Sequence, residues 1–163
     1  MRKPLGLVWV PREVLRGMVE EARRTFPMET GGVLLGYWIR PFQEAVMTNA
    51  VGPGPRGIHR KNRFVPDCEY QESEVARLYE ESGRLHTYLG DWHTHPKRGT
   101  LLSRRDHRTL IQIASFRNAR TPAPLMGILI CEPDWALTIW QLVSEAGFMG
   151  PKWSIFPHEV HPF

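Results

Sequence analysis

The sequence is poor in cysteine: only Cys68 and Cys131 occur in 163 residues. Two thiols cannot build a disulfide framework, so a reducing compartment, the cytoplasm, is the expected location. No apolar run approaches the roughly 20 residues that a membrane-spanning helix requires. The amino end, MRKPLGLVWVPRE, starts basic, but its apolar run stops at Pro11 and Arg12, short of a secretory signal core. No membrane partner is therefore expected. Internal repeats, low-complexity tracts and linkers are also lacking. Residues 1–163 read as one domain, with a core over about 7–145 and a Pro-containing tail over 146–163.

Several catalytic signatures are missing too. The zincin pattern His-Glu-x-x-His and the deaminase pattern Pro-Cys-x-x-Cys do not occur. GPGPRG matches a glycine-rich phosphate loop in spacing, yet its two prolines lack amide donors and no helical pattern follows. Cys68 has no partner pattern of a nucleophile and reads as a bystander. The chain is shorter than the roughly 250 residues of a barrel amidohydrolase.

What is present is an ordinary globular composition, 42% hydrophobic and 23% charged, with a net charge of +4. The basic excess is local. Arg56, Arg60, Lys61 and Arg63 fall in one segment, and Lys97, Arg98, Arg104, Arg105 and Arg108 in another. Aromatic residues do not alternate with these cations, so nucleic acid is not the expected partner.

Hydrophobic periodicity predicts an α/β fold with a mixed, mostly antiparallel sheet. GLVWV reads as a strand, and Pro11 suits the first turn of a helix whose Val14, Met18, Ala22 and Phe26 share one face. ETGGVLLGYWI and EAVMTNAV read as paired strands, GPGPRGIHRKNR as a loop and RFVP as a short strand. A second helix is expected from an Asp67 cap to Gly83, then a strand over TYLGDWHTH and a third helix from Ser103 to about Asn118. PLMGILICE and WALTIWQLV supply two more strands.

The stretch YLGDWHTHPKRGTLLSRRD carries the chemistry. At a strand end, His93 and His95 project from one face while Thr94 points away. Pro96 ends the strand and Ser103 opens a helix, so Asp106 sits in its first turn on the same side as Ser103. Ser-x-x-Asp alone resembles a helix capping box, and a histidine pair alone is more often structural than metallic. Together they make a two-nitrogen, one-oxygen donor set that suits zinc and leaves a fourth position open, as in catalytic sites. Hydrolysis would also need a proton acceptor. Glu29, just before TGGVLLGYW, is the candidate, and Gly31, Gly32 and Gly36 allow a tight turn and close strand approach.

Glu29 with GGVLLG, then HTHP, then SRRD resembles the JAMM (MPN-plus, JAB) zinc metalloprotease motif. The resemblance covers about residues 7–145; Leu102 departs from it where many members have proline. More narrowly, ETGGVLLGYW, VGPGP and YLGDWHTHP are similar to bacterial JAB-domain proteases of antiphage (CBASS-type) islands, which act at the C-terminal tail of a nucleotidyltransferase, the CD-NTase. The resemblance implies an MPN/JAB, cytidine-deaminase-like fold in which helices flank the sheet. It implies one Zn2+ per chain on His93, His95 and Asp106, Glu29 as general base and then acid, and Ser103 as a donor to the oxyanion. The implied partner is a protein with an extended C-terminal tail, a ubiquitin-like conjugate or a CD-NTase. A sulfur-carrier protein as substrate, or a non-catalytic MPN scaffold, is the alternative. The loop from Gly52 to Arg63 is placed to order on such a tail, with Arg56, Arg60 or the basic residues near Ser103 pairing with an acidic stretch.

Overall fold

The structure is a computed structural model; it describes residues 5–97, 99–131, 134–148 and 150–163. Arg98, and Glu132 at the end of one expected strand, lie outside the described residues. Strand β1 (Leu7–Val10) leads through Pro11 into α1 (Arg12–Thr25), with Pro11 at the N-cap. Proline is tolerated there because the first helical amides have no partner inside the helix. Met18 and Ala22 are buried as their spacing requires, whereas Phe26, expected on the same face, is nearly half exposed. It caps the helix with an extended backbone, which carries its ring off the apolar stripe.

Four strands follow before the next helix. β2 (Gly31–Arg40) and β3 (Glu44–Val51) form an antiparallel hairpin. The expected loop over residues 52–63 contains a strand instead: β4 (Ile58–Arg60) pairs with β5 (Arg63–Val65) in a ribbon separate from the main sheet. Helix α2 (Cys68–Glu81) is capped by Asp67, whose side chain accepts the Tyr70 amide. Next come β6 (Thr87–His95), α3 (Arg104–Ser115), a short 3-10 turn (Arg117–Ala119), β7 (Leu125–Ile130) and β8 (Ala136–Glu145).

The segment expected to be a tail is the longest strand, β9 (Lys152–Pro162). It runs antiparallel to β8 and parallel to β1, closing the sheet into a barrel of order β1-β3-β2-β6-β7-β8-β9. The mixed, mostly antiparallel pairing is as expected, but the sheet, expected only to be flanked by helices, closes into a barrel. Closure removes two edges that would otherwise leave unpaired amides and carbonyls.

Strand alternation sorts the core. Leu34, Met47, Leu89 and Trp92 point toward α1 with Val8, Met18 and Ala22. Val33, Leu35 and Val51 point the other way, under Val75 and Leu78 of α2. Met126, Ile128 and Leu142 pack against Leu110 of α3. Because Trp92 faces α1, the next residue, His93, faces α2 and α3. Beyond the register shift at Gly90, which lets Leu89 and Trp92 share a side, parity decides which side of the sheet carries His93 and His95.

Candidate metal centre

β6 ends with His93 half-buried and His95 2% exposed, and their Nε2 atoms lie 3.0 Å apart. Helix α3 starts beside them. Its Asp106 is buried and places Oδ1 3.2 Å from His93 Nε2 and Oδ2 3.7 Å from His95 Nε2. Donors about 2.0–2.1 Å from a tetrahedral zinc sit roughly 3.3 Å from one another, so these three atoms suit one cation of that size. All the candidate donor atoms fall within 4.8 Å of one another. His95 Nδ1 lies 3.0 Å from the Gly99 carbonyl. A proton donated there leaves the Nε2 lone pair facing the cluster, the usual way a ligating imidazole is held in its tautomer.

Ser103 and Asp106 form a reciprocal capping box. Ser103 Oγ accepts the Asp106 amide at 3.2 Å, and the Ser103 amide donates to Asp106 Oδ2 at 2.6 Å. The two readings of Ser-x-x-Asp are thus both satisfied by one side chain: the carboxylate caps the helix and faces the imidazoles. Burial alone pushes the Asp106 carboxyl up, but hydrogen bonds with His93 and His95 outweigh it and hold it well below the usual carboxylate range. Burial likewise opposes a proton on His95, yet Asp106 and the Gly99 carbonyl prevail and raise its pKa.

Glu29 is 7% exposed and stands just before β2. Gly31 pairs with His93, and Thr94 N donates to Thr30 O, so continuing the antiparallel register sets Glu29 opposite His95. Directly opposed residues share a face. The β4–β5 ribbon pins this position: the Glu29 amide donates to Arg60 O at 2.8 Å, and His59 Nδ1 lies 2.9 Å from Glu29 O. Gly31 is required here because an added Cβ would fall 2.2 Å from Trp92 O and 2.8 Å from His93 Cβ.

Two clefts meet at the cluster, and both are lined by Glu29, His93 and Asp106. One, about 230 Å³, adds Phe64, Pro66, Trp92 and Met126. The other, about 320 Å³, adds His95, Ser103, Arg104 and Arg108, and Arg105 lines both. All five expected catalytic and metal-binding positions therefore surround one cleft. The two expected substrate-binding arginines do not line either. Arg56 is bound to Asp67 at 3.1 Å and Glu69 at 2.6 Å, which takes up its guanidinium, and Arg60 projects from the ribbon as an exposed side chain.

Three contributors were not anticipated. Asp91 lines the apolar cleft and accepts from Tyr88 Oη at 2.7 Å. Burial pushes its carboxyl up, against the opposing pull of Tyr88 and His93. The alternation Asp91-His93-His95 was the available signal. His59 and the Gly99 carbonyl act through backbone geometry that spacing does not encode. His158, expected in a free tail, is buried in the barrel and bonded to Gln141 at 2.9 Å.

The comparisons with known proteins agree with this geometry. Residues 11–143 match the family of prokaryotic homologs of the JAB domain. A probable metalloprotease (y4qB) of Sinorhizobium fredii is 39% identical over 144 residues, covering 86% of this chain and 87% of that protein. A CD-NTase/cGAS isopeptidase of Escherichia coli is 30% identical over 105 residues, 64% of this chain and 57% of its own length. The one from Vibrio cholerae is 36% identical over 69 residues, 42% and 43% of the two chains. In fold, the solution structure of protein DSY2949 from Desulfitobacterium hafniense superposes with a TM-score of 0.67 at 17% identity, covering 96% of this chain and 92% of that one. With the donor cluster, the adjoining carboxylate and these relatives together, the chain belongs to the prokaryotic JAB-domain family and is a metalloprotease of the JAMM type.

Proposed function

We propose that the chain is a zinc-dependent peptidase or isopeptidase that cuts at the extended C-terminal tail of a conjugated protein, a CD-NTase in bacterial antiphage signalling. The observation that carries this reading is Glu29 on the same sheet face as the His93–His95–Asp106 cluster, inside one cleft. Zinc, when held by those three side chains, would supply Lewis-acid polarisation of a carbonyl and a more acidic water. The chain's own groups do the rest. Glu29 takes a proton from the attacking water and returns it to the leaving nitrogen. Ser103 Oγ already accepts from the Asp106 amide, so its own hydrogen is available for the developing oxyanion.

The β4–β5 ribbon supports a tail in extended form. It stands apart from the barrel, and its Arg60 carbonyl holds the Glu29 amide. A substrate strand laid on the ribbon would gain backbone hydrogen bonds and be led toward Glu29. The relatives named as CD-NTase/cGAS isopeptidases favour such a substrate over a sulfur-carrier protein. The direct assay incubates the zinc-loaded chain with a CD-NTase carrying a ubiquitin-like or peptide extension at its C-terminus and follows the products by mass spectrometry. Release at the tail, abolished by a chelator and restored by Zn2+, is expected. An intact conjugate under the zinc-loaded condition overturns the substrate assignment.

A further inference from the structure

The larger cleft has a wall that the hydrolytic roles leave unused. Arg104, Arg105 and Arg108 line it next to Ser103, and all three side chains are exposed. Among the described residues none of them is in an ion pair, whereas Arg40, Arg56 and Arg77 each hold a carboxylate. Arg105 reaches the Asn62 carbonyl at 3.5 Å and Arg108 Nε the Arg104 carbonyl at 3.4 Å. Each contact uses one of five guanidinium donors, so most of the fork stays uncommitted.

These arginines do not serve the helix. Arg104 and Arg105 occupy the first turn of α3, where the helix dipole disfavours cations. The only carboxylates lining the same cleft are Glu29 and Asp106, and Asp106 is engaged by two imidazoles and a backbone amide. The wall is therefore net positive before any cation is bound. The other cleft, beyond the cluster, has Phe64, Pro66, Trp92 and Met126 in its lining, together with Asp91 and Arg105. Arg105 lines both clefts, whereas Arg104 and Arg108 line only the larger one, so a chain crossing the cluster passes from a more apolar side to a more cationic one.

Resting on the peptidase reading, we infer that Arg104, Arg105 and Arg108 form a subsite for a substrate carboxylate flanking the scissile bond. A planar guanidinium matches a carboxylate in two parallel hydrogen bonds, so the fork selects this group over a merely polar one. The carboxylate has two sources, an acidic side chain or the free end of a chain. Nucleic acid is disfavoured because, among the described residues, this cleft is lined by no Phe, Tyr or Trp on which a base would stack.

The test reads binding, not turnover, by fluorescence anisotropy on the full zinc-loaded chain. The probes are dye-labelled hexaglutamate amide, hexaglutamine amide, hexaglutamine with a free carboxyl end, and a single-stranded oligonucleotide of six nucleotides. Hexaglutamate amide is expected to bind about tenfold tighter than hexaglutamine amide at low salt and to lose that margin as salt rises. The margin vanishes in the double variant R104Q/R108Q and shrinks in R104K/R108K, which keeps the charge without the fork. A gain confined to the free carboxyl end assigns the subsite to a chain terminus. Equal affinity for all peptides overturns the proposal, as does an oligonucleotide that binds tighter than hexaglutamate through the same arginines. A chain that cleaves no conjugate yet keeps the glutamate margin would sink the peptidase substrate and leave this subsite standing.

Discussion

The Ser103 backbone amide donates to Asp106 Oδ2 at 2.6 Å, while the other oxygen of that carboxylate faces His93. One side chain thus fixes the start of α3 and completes the candidate donor set, which would couple folding to metal binding at a single position.

That coupling separates two variants. Asp106→Ala removes both the cap and a donor, so metal analysis should find little bound zinc, and the metal-free protein should lose about 1 kcal/mol of stability. Ser103→Ala removes only the hydroxyl. It should cost a similar ~1 kcal/mol in chemical denaturation, keep its zinc, and turn over on the order of a hundredfold more slowly. Full activity in the zinc-loaded Ser103→Ala protein would remove the hydroxyl from the reaction.

Glu29→Gln keeps the size and the backbone contacts to Arg60 and His59 while removing the proton acceptor. It should bind zinc like the parent chain and fall by a factor of at least about 100 in kcat, the range expected for loss of general acid–base catalysis. Equal kcat values in the two proteins would reassign the base.

The clustering of His93, His95 and Asp106 was legible in the sequence because each belongs to a short local pattern. His93 and His95 share a strand face by alternation, and Ser103 and Asp106 share a helix turn by spacing. What stayed hidden was non-local or already neutralised. β9 closes the barrel on β1 across nearly the whole chain, through Leu7–Glu159 and Trp9–His161 pairs, yet its two prolines and weak alternation read as a tail. Arg56 looked available for substrate until Asp67 and Glu69, 11 and 13 residues on and across the β4–β5 ribbon in sequence, proved to hold it. The three-residue β4 is too short and polar to announce itself.

Gly31 tests how tightly the sheet holds the ligands. Adding a methyl group places it against the Trp92 carbonyl and the His93 Cβ, neither of which is a flexible chain end. Gly31→Ala should destabilise the fold by roughly 1–3 kcal/mol and weaken zinc binding by displacing His93. Thermal unfolding and a competitive chelator titration read the two effects. An unchanged zinc affinity would mean that β2 and β6 slide apart without moving the imidazole.

His158 sets an acid limit on the barrel. It is 5% exposed beside Gln141 and Trp38, and its Nδ1 has no hydrogen-bond partner among the described residues. Burial lowers its pKa from the usual 6.5 to about 4. Above the unfolded value both states are neutral and the residue leaves stability independent of pH. As pH falls from 6.5 toward 4 the unfolded chain takes up the proton first, so stability declines by up to about 3 kcal/mol and then levels off. His158→Gln should flatten this part of the profile relative to the parent chain when unfolding midpoints in urea are compared from pH 7 to pH 4. Parallel profiles for the two proteins would show that the imidazole reaches solvent and is protonated without opening the β8–β9 seam.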